Sequence, residues 1–108
     1  MGQSFKLYFE DGLAFIEFDQ PDSKVNVLTA SALEEFNNTI LLLNERTDIK
    51  GLLILSAKPD IFTAGADIKE IEKITSEKDG REKAKAGQTV FNALENLPFP
   101  TIALINGA

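Results

Sequence analysis

The sequence predicts an α/β domain with elements in the order β-β-α-β-α-α-β. Three observations carry that reading. The chain opens on two aromatic-rich runs separated by Asp11-Gly12. Two later runs, Gly51 to Ser56 and Thr101 to Ile105, are short and almost wholly apolar. That pattern suits strands of a parallel sheet covered on both faces. The stretches leading to these runs place apolar residues at helical spacing. A length of 108 residues, 44% apolar and 26% charged, is enough for one small globular domain.

Phe5-Lys6-Leu7-Tyr8-Phe9-Glu10 alternates loosely and suits a strand, and Leu13-Ala14-Phe15-Ile16-Glu17-Phe18 is its return partner. The Asp-Gly pair between them is a strong hairpin signal. Phe5, Phe9, Phe15 and Phe18 are expected in the core. Asp19-Gln20-Pro21-Asp22-Ser23 reads as a turn. A helix follows, with Thr29 or Ser31 as N-cap and Ser31 with Glu34 fitting a capping box. Leu33, Phe36, Ile40 and Leu43 should face the core, and the helix should fade near Arg46-Thr47-Asp48. Glu34 and Glu35 read as a solvated face, as do Glu70 and Glu72.

After the Gly51–Ser56 strand, Ala57-Lys58-Pro59-Asp60 is a loop. Asp67-x-x-Glu70 is a second capping-box pattern, predicting a helix from Asp67. Another helix should begin at Thr75-Ser76-Glu77, expose its charged start and bury Ala84, Gly87, Val90, Phe91 and Leu94. Pro98-Phe99-Pro100 ends it. The final strand is expected to be buried. A chain stopping just after such a strand reads as the N-terminal part of a truncated domain.

Composition excludes several chemistries. Cys and His are both absent, so the stretch has no disulfide, thiol nucleophile, imidazole base or ordinary zinc site. A net charge of -6 without a basic face argues against nucleic acid as partner. The N-terminus has no signal-peptide or transit pattern, and no apolar run approaches the ~20 residues that span a bilayer. These features predict a cytoplasmic protein without a membrane span.

The stretch that could carry chemistry is Phe62-Thr63-Ala64-Gly65-Ala66-Asp67-Ile68, between a buried strand and a helix start. Such a junction aims free backbone N–H groups at one point, suiting a phosphate or a developing oxyanion. No G-x-G-x-x-G or G-x-x-x-x-G-K-[ST] phosphate fingerprint is present. Small side chains let a ligand approach the backbone, but they equally let a loop cross a strand end. The residues alone leave both uses open. Likewise Asp67 can simply cap its helix, Lys24 can be a solvated loop lysine, and Asn26 can bond local backbone in a turn.

Lys24-Val25-Asn26-Val27-Leu28, the Phe62-to-Glu70 stretch and Pro100-Thr101-Ile102-Ala103-Leu104-Ile105-Asn106-Gly107-Ala108 occur in an order and spacing that resemble the crotonase (enoyl-CoA hydratase/isomerase) superfamily. Within it they look most like the N-terminal hydratase part of multifunctional fatty-acid oxidation alpha subunits. The resemblance implies a crotonase-like fold and a hydratase acting on 2-enoyl-CoA thioesters. It implies that the Ala66 backbone N–H is one of two oxyanion-hole donors. It implies that Ala64, Asp67 and Ile68 line one wall of the CoA path, and Lys24, Val25 and Val27 the other. The family's second N–H donor and its two catalytic glutamates lie beyond this stretch, so the chain alone should be inactive. No permanently bound cofactor and no metal is implied; the substrate carries coenzyme A. Family members commonly form trimers, or join a thiolase subunit. Other reactions of the superfamily share the oxyanion loop, as would a non-catalytic CoA-binding module. A receiver-type signalling domain would need acids at strand ends, and none is placed so.

Overall fold

The computed structural model describes residues 4–59, 61–63 and 76–105. Within them a four-stranded sheet runs in the order β1-β2-β3-β4, where β1 is Phe5–Glu10, β2 Leu13–Phe18, β3 Gly51–Ser56 and β4 Thr101–Leu104. Helix α1, Ala30–Asn44, lies between β2 and β3, and helix α2, Glu77–Glu95, between β3 and β4. The two-helix segment expected between β3 and β4 is seen in its second helix; the helix predicted from Asp67 lies outside the described residues.

The hairpin forms as the Asp-Gly pair requires. Glu10 pairs with Leu13, leaving a two-residue loop whose φ angles are 51° at Asp11 and 84° at Gly12. Two successive positive φ values match the twist of the flanking strands, and Gly adopts one without steric cost. Strand β3 then pairs parallel to β2, and β4 parallel to β3. The register sorts side chains onto two faces. Phe5, Leu7, Ala14, Ile16, Phe18, Leu52 and Ile54 share the inner face, which α1 covers.

Thr29, not Ser31, caps α1, its hydroxyl accepting from the Ala32 backbone N–H at 2.9 Å. Ser31 sits inside the helix, so the Ser31–Glu34 box does not form. Ala32, Phe36, Ile40 and Leu43 are buried, whereas Leu33 is only half-buried. Phe36 meets Phe5, 5.2 Å between ring centroids, and Phe5 stacks on Phe18 at 4.4 Å. Glu35 is no solvated bystander: its carboxylate accepts from the Ser4 and Phe5 backbone N–H groups at 2.9 and 2.8 Å. That holds the first residues of β1 to the helix.

Several expectations about burial fail for one shared reason. A residue's apolar character states that it can be buried, while its neighbours decide whether it is. Phe15 faces the opposite side of the sheet from Phe5 and Phe18, stacked on Tyr8 at 4.9 Å. Phe9 is on the inner face but at its margin, 42% exposed, with the Arg46 guanidinium over its ring. In α2 only Val90 is buried; Ala84 and Phe91 are exposed and Gly87 is half-buried, because this helix meets α1 through its C-terminal part. Strand β4 is the sheet edge and is exposed throughout, not buried. Ser76 does cap α2, accepting from the Asp79 N–H at 3.0 Å, and acidic Glu77 and Asp79 complement the helix dipole there.

Candidate functional site at the carboxyl ends of two parallel strands

Strands β2 and β3 end side by side, with Phe18 paired to Ser56. Parallel pairing sends both outgoing segments to the same edge of the sheet. Carboxyl ends of parallel strands are where ligands of open α/β sheets bind, since the loops there converge. The segment after β2 contains Lys24, Val25 and Val27. The segment after β3 contains Phe62 and Thr63 and runs into residue 64. The register therefore brings the 24–27 segment, which the resemblance assigns to one wall of a site, beside residues 61–63, which lead into the stretch it assigns to the other.

Hydrogen bonds then lock these segments together. Asn26 is fully buried and occupies the junction. Its side-chain amide donates to the Phe18 carbonyl at 3.1 Å, the Ser56 hydroxyl at 2.8 Å and the Phe62 carbonyl at 3.0 Å, and its oxygen accepts from the Gln20 N–H at 3.0 Å. The Ser56 hydroxyl in turn donates to the Ile61 carbonyl at 2.8 Å and accepts from the Lys58 N–H at 3.0 Å. Thr63 donates from its hydroxyl to the Asn26 carbonyl at 3.2 Å. No buried side-chain nitrogen or oxygen lacks a partner among the described residues.

Lys58 adds a second tie. Its ammonium meets the Asp19 carboxylate at 2.8 Å and donates to the Gln20 and Ser23 carbonyls, both at 2.6 Å. Its side chain is only 11% exposed. An ammonium has three N–H donors, and here one charge organises the whole 19–23 turn. In that turn Asp22 holds a positive φ of 56°.

Of the residues assigned to the site, Lys24 is exposed, while Val25 and Val27 are half-buried. The Val25 N–H is taken up by Ser23 Oγ at 3.2 Å and the Val27 N–H by Gln20 Oε1 at 3.0 Å. This wall therefore offers an exposed cation and apolar side chains, with these two amides already engaged. Ala64, Ala66, Asp67 and Ile68 lie outside the described residues. Asn26 does bond the backbone of the nearby turn, at the Gln20 N–H, and beyond that expectation its side chain joins residues up to 36 positions away. Lys58 was missed as a structural anchor. No signal in a lone lysine within a Pro-containing loop distinguishes it from a solvated one. Among the described residues no three His, Cys, Asp or Glu gather to hold a metal ion, and no helix is long and apolar enough to cross a membrane.

Comparison with known proteins bears on the same elements. The family model described as "Enoyl-CoA hydratase/isomerase" matches residues 8–108. The chain is 42% identical over 106 residues to the fatty acid oxidation complex subunit alpha of Vibrio cholerae serotype O1 (strain ATCC 39315), covering 96% of this chain and 15% of that protein. It is 38% identical over 98 residues to the subunit of the same name from Vibrio parahaemolyticus, covering 91% of this chain and 14% of that one. Thus the chain spans about one-seventh of the length of these relatives. Among solved structures, an enoyl-CoA hydratase from Bacillus anthracis superposes with a TM-score of 0.85 at 28% identity, over 97% of this chain and 40% of that one. Pseudomonas aeruginosa DspI gives 0.84 at 26% identity, over 98% and 39%. The strand order, the paired carboxyl ends and these matches agree: the chain belongs to the enoyl-CoA hydratase/isomerase family.

Proposed function

We propose that this chain supplies the first part of an acyl-CoA site in an enoyl-CoA hydratase that adds water to 2-enoyl-CoA thioesters. The parent protein is then a multifunctional alpha subunit of fatty-acid oxidation. The observation that carries this reading is the pairing of Phe18 with Ser56, which sets the 24–27 and 61–63 segments against one another at one sheet edge. The 24–27 segment presents Lys24 to solvent, suited to a CoA phosphate as a point charge, beside Val25 and Val27 as an apolar wall for the pantetheine.

In hydration, the water oxygen bonds to the β-carbon of the thioester and the double-bond electrons move toward the carbonyl. The resulting enolate oxygen is negative until a proton reaches the α-carbon. The backbone N–H of Ala66 is assigned as one donor to that oxygen, and a single such donor is worth ~2.7–4 kcal/mol in the transition state. The acids that activate water and deliver the proton belong to later segments of the family's fold, so the 108-residue chain alone is expected to turn over no substrate. The substrate brings its own coenzyme A, and no resident cofactor or metal is invoked. Cytoplasmic location and an oligomer, either a trimer or a complex with a thiolase subunit, are part of the same proposal.

Replacing Ala66 with proline in the full-length enzyme removes the N–H. It should lower kcat on 2-butenoyl-CoA about 10²–10³-fold, followed by loss of the conjugated thioester absorbance. Unchanged turnover would overturn the oxyanion assignment. Binding of the thioester by the wild-type protein with no absorbance loss would instead favour a non-catalytic CoA module.

A further inference from the structure

We infer that Asn26 is a positioning residue for the acyl-CoA site, its side-chain amide setting how the 24–27 segment stands against the 61–63 segment. The inference rests on the hydratase reading above. Its ground is the shape of the network. Asn26 comes from the 24–27 segment, and its amide group reaches the ends of both strands and the carbonyl of Phe62 in the 61–63 segment. An –NH₂ group has two protons, and here three acceptors lie within 3.1 Å. The three acceptors therefore share two donors, and displacing any one of them alters the other two. Ser56 extends the clamp one residue upstream, to the Ile61 carbonyl. Residues 61 and 62 are thereby held by side chains rooted in β3 and in the 24–27 segment, immediately before the chain reaches residue 64.

Complete burial of Asn26 raises the stakes of this arrangement. A buried amide is costly unless its bonds are made, so the junction is stable only when the 24–27 and 61–63 segments stand at the spacing that satisfies it. A shift of about 1 Å at a reacting centre can cost ~10²-fold in rate. A structural polar residue would affect only how much protein is folded. A positioning residue also changes what the folded protein does.

Asn26→Asp keeps the volume and replaces the donors with acceptors that face two carbonyls. Ser56→Ala is the milder variant: it keeps the Asn26 side chain and its bonds to the Phe18 and Phe62 carbonyls, and removes the hydroxyl that accepts from Asn26 and the Lys58 N–H and donates to Ile61. Both are made in the full-length enzyme and read per folded molecule, well below the melting temperature. Two quantities are measured. The first is kcat and KM on 2-butenoyl-CoA. The second is the infrared carbonyl band of bound butanoyl-CoA labelled with ¹³C at the thioester carbon. The expected result is a fall in kcat of about tenfold or more with KM within about threefold, and a carbonyl band moved back toward its free-solution frequency. If Asn26→Asp does not fold, Ser56→Ala decides. A Ser56→Ala protein with wild-type kcat and wild-type carbonyl band, whatever its melting temperature, overturns the inference. A wild-type enzyme whose bound thioester shows no carbonyl shift overturns the hydratase reading itself, and the inference with it.

Discussion

The two faces of the sheet are built from similar residues and end in different surroundings. On the inner face Ala14, Ile16, Phe18 and Leu52 are each 3% exposed or less, packed under Phe36, Ile40 and Leu43 of α1. On the outer face the register lines up Tyr8, Phe15, Leu53 and Ile102 across all four strands. Tyr8 is 40% and Ile102 56% exposed, and Phe15 and Leu53 are half-buried. Among the described residues no helix packs across this row. The comparison teaches that apolar composition on a strand reports capacity for burial, and that a helix with a matching stripe realises it. Among the described residues α1 is the helix that does so, on the inner face.

The widest gap between the faces should appear on truncation. Ile16→Ala removes a fully buried side chain and leaves a cavity beneath α1, for an expected loss of about 2–5 kcal/mol in chemical denaturation. Leu53→Ala, its neighbour on the other face, should cost about 1 kcal/mol, since part of that side chain is already in water. Equal losses would break the comparison and would mean that the outer row is covered in solution. A smaller effect tests the cover itself. Thr29→Ala removes the α1 cap and should lower stability by about 1 kcal/mol, and Thr29→Ser should restore most of it. An unchanged denaturation midpoint for Thr29→Ala would show that packing alone holds that helix end.

The smallest effect is expected at the exposed ion pair. The Arg46 guanidinium binds Asp48 through two bonds, at 2.9 and 2.6 Å, and holds that carboxyl below its usual range. A lowered folded-state value stabilises the fold above the ordinary aspartate range, and that share is lost as pH falls through the lowered value. Because both groups face solvent, water and salt screen the pair. Asp48→Asn should leave the melting temperature unchanged within error at neutral pH and moderate salt. A fall of several degrees would give the pair a structural weight that its exposure argues against.

Local chemistry was legible in the sequence and long-range satisfaction was not. Asp11-Gly12 announced the hairpin because positive φ is a property of those two residues alone. Ser76 announced α2 for a similar reason: an N-cap acts within three residues. The apolar run of β3 announced a strand. The joints between these pieces were invisible. Asn26 reaches positions 30 and 36 residues away, and Lys58 reaches back 35 and 38. An asparagine in a turn looks the same whether it bonds its own loop alone or also ties two strand ends and a distant loop. Glu35 likewise reads as a surface acid until β1 is laid against its helix.

The sheet order β1-β2-β3-β4 repeats the order in which the strands occur along the chain. On a ribosome, which releases the N-terminus first, that coincidence gives assembly a direction. The hairpin closes over a two-residue loop and can form as soon as it emerges. Its second strand then presents an open edge to β3, and β3 presents one to β4, so each arriving strand finds a finished template. Among the described strands none must be threaded between two already placed. The slow step left to such a chain is the wait for each next segment, with the growing edge always belonging to the strand most recently made and β1 closing the other side of the described sheet.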